Sequence, residues 1–302
     1  MNLISQVENI KEKISGKITF NESLSKLSWF NLGGPAKVIF RPKNLKELSF
    51  FLKKISGIAE IKVIGAGSNI LIRDRGFDGV IIKFGKSFSH ISLLKSDTII
   101  AGASVKDKNI SSFALENSLT GFEFLSCIPG SIGGGVRMNT GCYGDDISNI
   151  LVSVQVMDYS GSIKVIHASD IKFHYRGSNL KSDLIFISAT FKGIKDSKLS
   201  IKKKINYFLK KKEKAQPSKV KTCGSTFKNP ENNKAWKLIQ DSGCAGMKIG
   251  DAQISDKHCN FFINNGNAKS KDLEKLITQV KDKVFKNTGI KLELEVQIIG
   301  KI

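Results

Sequence analysis

The sequence predicts an α+β fold in two parts, a larger domain over residues 1–200 and a smaller one over 201–302. Three observations carry this. Short apolar runs bounded by turn residues recur through the first two hundred residues, and segments with apolar residues at helical spacing interrupt them. A lysine-rich helical stretch then runs into Ala215-Gln216-Pro217, where proline restricts the residue before it and stops the helix. The length of 302 residues fits about two domains at roughly 150 residues each, and 40% hydrophobic content can fill two cores.

In chain order, Leu45 to Ile55 reads as a helix and Lys62 to Gly65 as a strand. Leu71-Ile72, with Gly76 and Gly79 nearby, reads as a further strand and turn. Strands follow at Val80 to Phe84 and Thr98 to Ala101, then a helix at Val105 to Asn117. An apolar run, read as another strand, leads into Pro129. Leu151 to Asp158, Ser162 to His167 and Leu184 to Phe191 complete the strands of the first domain, and Ser197 to Lys214 is its lysine-rich helix. Helical spacing returns at Lys234 to Ser242 and Ser270 to Lys286, with an apolar run at Asn260 to Ile263. Lys291 to Ile299 alternates as a strand, with Glu293, Glu295 and Gln297 sharing one face.

Two glycine-rich segments, Gly65-Ala66-Gly67-Ser68-Asn69 and Pro129-Gly130-Ser131-Ile132-Gly133-Gly134-Gly135, lie about sixty residues apart. Glycine leaves no side chain between backbone amides and a ligand, so such loops let N–H groups converge on an anion. A pair of them points to a diphosphate cofactor. The first loop fails the dinucleotide fingerprint G-x-G-x-x-G, because Ile70 occupies the third glycine position and a strand, not a helix, follows. Taken singly, each loop is also compatible with an ordinary tight turn.

No signal-peptide or membrane-length apolar stretch is present, so the expected location is the cytoplasm, with no membrane partner. Cys127, Cys142, Cys223, Cys244 and Cys259 form no C-x-x-C pair, and His90, His167, His174 and His258 show no metal spacing. Free thiols and no metal are expected. The formal charge of +21 would ordinarily point to nucleic acid, yet only five of 48 basic residues are arginine. The run of Lys202 to Lys204 and Lys210 to Lys212 lacks interleaved aromatics and reads as a solvated helix face, so no nucleic-acid partner is expected. A chain so sparing of arginine places Arg137 and Arg176, each in a glycine- and polar-rich segment, among the candidate anion contacts.

These segments, with Gly224-Ser225-Thr226-Phe227-Lys228-Asn229-Pro230, Ala235-Trp236-Lys237-Leu238-Ile239, Gln253-Ile254-Ser255, His258-Cys259-Asn260-Phe261 and Leu294-Glu295-Val296, occur in the order and spacing of one enzyme family. The chain resembles the UDP-N-acetylenolpyruvoylglucosamine reductases, also called UDP-N-acetylmuramate dehydrogenases, over nearly its whole length. The 49 residues from Arg176 to Ser225 resemble the compact second type. The resemblance implies a two-part FAD-binding domain of the vanillyl-alcohol oxidase (PCMH) type, followed by a smaller α+β substrate-binding domain whose last strand brings Glu295 back to the active site. It implies non-covalent FAD, NADPH as co-substrate, and reduction of UDP-N-acetylglucosamine-enolpyruvate to UDP-N-acetylmuramate, a step toward peptidoglycan, by a monomer.

By the same resemblance, Arg176 stabilises the enolate-like intermediate, Ser225 donates the proton, and Glu295 polarises the substrate or shuttles a proton. The cofactor contacts implied are Gly65, Ala66, Gly67, Ser68, Asn69, Gly102, Ala103, Ser104, Pro129, Gly130, Ser131, Ile132, Gly133, Gly134 and Arg137; the substrate contacts are Tyr175, Lys228 and Asn229. Gly135 stands where alanine is common, and Gln297 where arginine often follows the glutamate. Taken by pattern alone, Ser225 is also a turn or cap residue and Glu295 a solvated strand position. The rival enzyme is another FAD-dependent oxidase or dehydrogenase of the same fold; the rival of another class is a basic nucleic-acid-binding module.

Overall fold

A computed structural model describes residues 2–302. The chain divides into two compact units, and it does so discontinuously. The first unit contains the segment ending at Phe20, Val38–Ala66 and Gly79–Lys212; the second contains Asn21–Lys37, Gly67–Asp78 and Glu213–Ile302. A single boundary near residue 200 is therefore replaced by five crossings. The reason lies in long-range pairing within the second unit. Ile70–Ile72 forms a parallel ladder with Gln297–Ile299, and the Arg73 guanidinium binds the Glu274 carboxylate at 2.8 Å.

The first unit has two hydrophobic cores. In one, α1 (Leu3–Lys11) and α2 (Leu45–Ile55) share a core with Val38, Phe40, Val80 and Ile82 of a four-stranded sheet, ordered Lys17–Ser23, Pro35–Arg41, Phe77–Ile82, Ile61–Val63. Asn44 caps α2 by accepting from the Glu47 amide at 2.9 Å. Phe40 and Phe51 are fully buried and stacked, each worth about 1.5–3 kcal/mol of burial. The other core backs a five-stranded antiparallel sheet, ordered Ile163–His167, Leu151–Met157, Ile185–Lys192, Thr98–Gly102, Ile91–Lys95. It is filled by Ile110 and Ala114 of α3 (Asp107–Glu116), Val136 of α4 (Ile132–Arg137) and Phe208 of α5 (Lys198–Ala215).

The apolar run before Pro129 is not a strand. Glu123–Cys127 is a 3-10 helix, because the buried Glu123 carboxylate accepts from the Thr120 hydroxyl (2.5 Å) and the Gly121 amide (2.9 Å). That curl turns Phe122, Phe124 and Leu125 inward together.

The second unit builds its core from α6 (Ala235–Asp241), α7 (Ser270–Thr288) and a three-stranded sheet of Lys248–Ile249, Ala252–Ile254 and Phe262–Asn264. Leu273, Leu276, Ile277, Val280 and Val284 form the buried face of α7. Gly289, at φ +71°, ends it with an amide bond to the Phe285 carbonyl. The expected strand Lys291 to Ile299 is only partly formed. Strand geometry is confined to Gln297–Ile299, while Leu294 makes an isolated antiparallel bridge to Phe227. The amides of Glu295 and Val296 both reach the Thr226 carbonyl, at 2.9 and 3.3 Å, which breaks the two-residue alternation. Glu295 is half-buried, whereas Glu293 is exposed.

Candidate active site

The two glycine-rich segments meet inside the first unit. A Cβ placed on Gly65 would stand 2.5 Å from the Ser131 hydroxyl oxygen and 4.0 Å from the Gly134 amide nitrogen. The Ser131 hydroxyl is buried with no hydrogen-bond partner, a costly condition for a polar group. Beneath the first segment, the Lys83 ammonium donates to the Gly65 carbonyl. Burial, with the Arg41 charge nearby, pushes the Lys83 pKa down to about 8. A narrow gap between glycines, an unpartnered hydroxyl and two buried cations together fit a bound diphosphate. Lys83 was missed by sequence reasoning, and its signal was a lysine inside the otherwise apolar run Val80 to Phe84.

The third segment supports the second loop. Gly133 and Ile132 donate their amides to the carbonyls of Ala103 and Val105, both at 2.9 Å, so these two hold the loop in place. Gly102 is required because a Cβ there would run into the Phe88 carbonyl. The Ser104 amide donates to that carbonyl at 3.1 Å, beside a cavity of about 630 Å³ lined by Lys43, Asn44, Phe88, His90, Gln155 and Ser188. Asp107, also missed, is fully buried with both carboxyl oxygens unpartnered, and its amide donates to the Gly130 carbonyl at 3.3 Å. Burial pushes its pKa up to about 8, so the group is neutral at pH 7.

Arg176 lies in a two-residue turn between Phe173–His174 and Gly177–Ser178, at φ +59°. A non-glycine residue held in the left-handed region is strained, and such strain clusters at functional positions. Its guanidinium donates to the Gly141 carbonyl at 3.0 Å and lies 4.8 Å over the ring of Tyr175, which is exposed. Arg137 does different work from that expected. It donates to the carbonyls of Leu180, Lys181 and Leu184 at 2.6–3.2 Å and stacks on Phe186, which makes it a brace for the 180–184 turn.

In the second unit, Gly67 at φ +76° leaves no room for a Cβ beside the Leu27 carbonyl. Ser68 is half-buried. The Ile70 carbonyl accepts from the Ser28 hydroxyl (2.9 Å) and the Cys223 thiol (3.2 Å), which fixes the end of the loop. Asn69 turns its amide away from the loop: Nδ2 donates to the Glu295 carbonyl at 3.0 Å, and its own carbonyl accepts from Gln297.

Ser225 follows Gly224, at φ +75°, and bridges to Phe261; the next two residues, Thr226 and Phe227, pair with Leu294, Glu295 and Val296. Ser225 and Glu295 thus sit on neighbouring crossing segments. Asn260 clamps them from behind, accepting from the Phe227 amide at 2.9 Å and donating to its carbonyl at 2.8 Å. Lys228 forms an ion pair with Glu293 at 3.5 Å, and the Asn229 side-chain carbonyl accepts from the Ala235 amide at the start of α6. Among the described residues, no cluster of histidine, cysteine or carboxylate could hold a metal ion.

The FAD binding domain profile matches residues 36–167, and that of the UDP-N-acetylenolpyruvoylglucosamine reductase C-terminal domain matches residues 216–299. A UDP-N-acetylenolpyruvoylglucosamine reductase of Pelagibacter ubique (strain HTCC1062) is 52% identical over 299 residues, covering 98% of this chain and 99% of the relative. The chain belongs to the UDP-N-acetylenolpyruvoylglucosamine reductase family. A second relative, from Rickettsia bellii (strain RML369-C), is 43% identical over 96% of both chains. The crystal structure of the Thermus caldophilus reductase matches with a TM-score of 0.83 at 28% identity, covering 95% of this chain and all of that one. Fold class and the presence of an FAD-binding domain therefore stand as the sequence predicts.

Proposed function

We propose that this protein reduces the enolpyruvyl ether of UDP-N-acetylglucosamine-enolpyruvate to the lactyl ether of UDP-N-acetylmuramate, using NADPH and non-covalent FAD. The observation that carries this is reductase-family similarity running end to end, through both the cofactor and the C-terminal domains. The setting is the cytoplasmic supply of peptidoglycan precursor, with no nucleic-acid or membrane partner and a monomeric enzyme; no described helix is long and apolar enough to cross a membrane.

Bound FAD would relay hydride from NADPH to the substrate. Gly65, Ala66, Gly67 and Ser68, the Gly102–Ser104 segment and Pro129–Gly134 would form its cradle, with the Ser131 hydroxyl and the Lys83 ammonium supplying hydrogen bonds and charge at the diphosphate. Asn69 serves by holding the Glu295 carbonyl. Hydride arriving at the terminal carbon of the enolpyruvyl group leaves an electron pair on the α-carbon, delocalised into the carboxylate. Arg176 offers that carboxylate a fixed planar cation with parallel donors. Ser225 delivers a proton to the α-carbon, and Glu295, on the adjoining segment, polarises the substrate. Tyr175, Lys228 and Asn229 complete the substrate contacts.

Incubating the purified yellow protein anaerobically with NADPH and the enolpyruvyl substrate tests the reading. Equimolar NADPH loss and a product two hydrogens heavier are expected. NADPH oxidation that depends on oxygen and ignores the enolpyruvyl substrate would favour the oxidase reading instead.

A further inference from the structure

Cys127 ends the 3-10 helix Glu123–Cys127, and Cys142 lies in the hairpin Gly141–Cys142/Asp145–Asp146, closed by Tyr143 and Gly144 at φ +58° and +95°. Two consecutive positive φ values mark a tight I′-type turn. The helix and the hairpin touch: the Cys142 thiol donates to the Phe124 carbonyl at 3.4 Å, and the Cys127 and Cys142 thiols hydrogen-bond to each other. The chain between them comprises the whole second glycine loop and α4. One residue before Cys142, the Gly141 carbonyl accepts the Arg176 guanidinium. Cys142 is half-exposed, and the other three cysteines are buried.

We propose that Cys127 and Cys142 form a reversible disulfide that closes a ring around the second glycine loop and moves the carbonyl holding Arg176, slowing substrate reduction while oxidised. The oxidant is a hydroperoxide. The Cys127 thiolate attacks one peroxide oxygen, the O–O bond breaks, and the sulfur becomes a sulfenic acid while water leaves. The Cys142 sulfur then displaces hydroxide, taken up with the thiol proton as a second water, and the S–S bond forms. Two thiols lose two electrons and the peroxide gains them.

The chemistry is set up by the surroundings. The Lys212 ammonium donates to the Cys127 carbonyl at 2.8 Å. The hydrogen bond with Cys142, then those with Ser126 and the Lys212 charge, pull the Cys127 thiol down to about 6 against the effect of burial, while Cys142 is pushed up. Burial pushes Cys223, Cys244 and Cys259 up, the condition of inert core thiols. In a reducing cytoplasm such a bond is transient, as a sensor requires.

The rate effect rests on the proposed activity; the bond does not. The FAD-loaded protein is treated with hydrogen peroxide, digested without reduction and mapped by mass spectrometry, and its NADPH-reduced form is then mixed with the enolpyruvyl substrate. A Cys127–Cys142 linked peptide is expected, with about 10- to 100-fold slower substrate reduction that dithiothreitol restores. Cys142→Ser should show no such reversible slowing. Absence of the linked peptide, a different pairing, or a linked enzyme at full speed would overturn the proposal. If the untreated enzyme fails to reduce the substrate while the linked peptide still forms, it is the proposed activity that fails.

Discussion

Ser131→Ala separates a cofactor-binding hydroxyl from a structural one, because the two readings predict opposite signs for protein stability. The hydroxyl is buried and unpartnered in the ligand-free fold. An unsatisfied buried polar group costs about 1–3 kcal/mol, so deleting it should leave the apoprotein unchanged or more stable by about 1 kcal/mol. At this chain length that is about 2–4 °C in Tm. With FAD bound, the same hydroxyl would donate to a charged phosphate, a bond worth about 1.5–3 kcal/mol, or roughly 10- to 150-fold in Kd. Apoprotein Tm by differential scanning calorimetry and FAD Kd by flavin fluorescence titration give both numbers. Gly65→Ala, whose Cβ would fill the same gap, should weaken FAD in the same way. A destabilised Ser131→Ala apoprotein with unchanged FAD affinity would refute the cradle.

Ser225→Ala should leave reduction by NADPH nearly intact and slow transfer to the enolpyruvyl substrate by about 10²-fold or more, read by single-turnover kinetics on each half. FAD Kd should rise as pH climbs through about 8, because Lys83 loses its positive charge there and Asp107, protonated below that pH, gains a negative one beside Gly130; Asp107→Asn should flatten the profile, and a Kd constant from pH 7 to 9 would contradict it. Asn260→Leu strands the Phe227 amide and carbonyl in a buried site and should cost roughly 2–5 kcal/mol in urea unfolding.

Local signals in the sequence were read correctly wherever the interaction itself is local. The spacing of Leu48, Phe51, Leu52 and Ile55 marks α2 at the bounds expected, and Ile70 in place of glycine correctly forecasts a strand after the first loop. Distance in sequence hid the rest. The parallel pairing of Ile70–Ile72 with Gln297–Ile299 draws two early segments into the second unit, and nothing in either segment alone announces it. Glu295 was read as part of a continuous alternating strand, but its amide and that of Val296 share the Thr226 carbonyl. Asn69 was read as a cofactor contact because it ends a glycine loop, whereas its side chain bonds a carbonyl 226 residues away. Arg137 was singled out by scarcity, and scarcity does not distinguish an anion clamp from a carbonyl brace. Asp107 sits in the first turn of a helix, where an acidic residue is ordinary, so its complete burial left no trace in the pattern.

The central claim is the reaction itself, and anaerobic stopped-flow spectroscopy tests it most directly. The protein is reduced with one equivalent of NADPH and mixed with UDP-N-acetylglucosamine-enolpyruvate while the flavin absorbance is followed. Prompt return of the oxidised spectrum with formation of UDP-N-acetylmuramate is predicted. A flavin that NADPH reduces but this substrate leaves reduced would contradict the account.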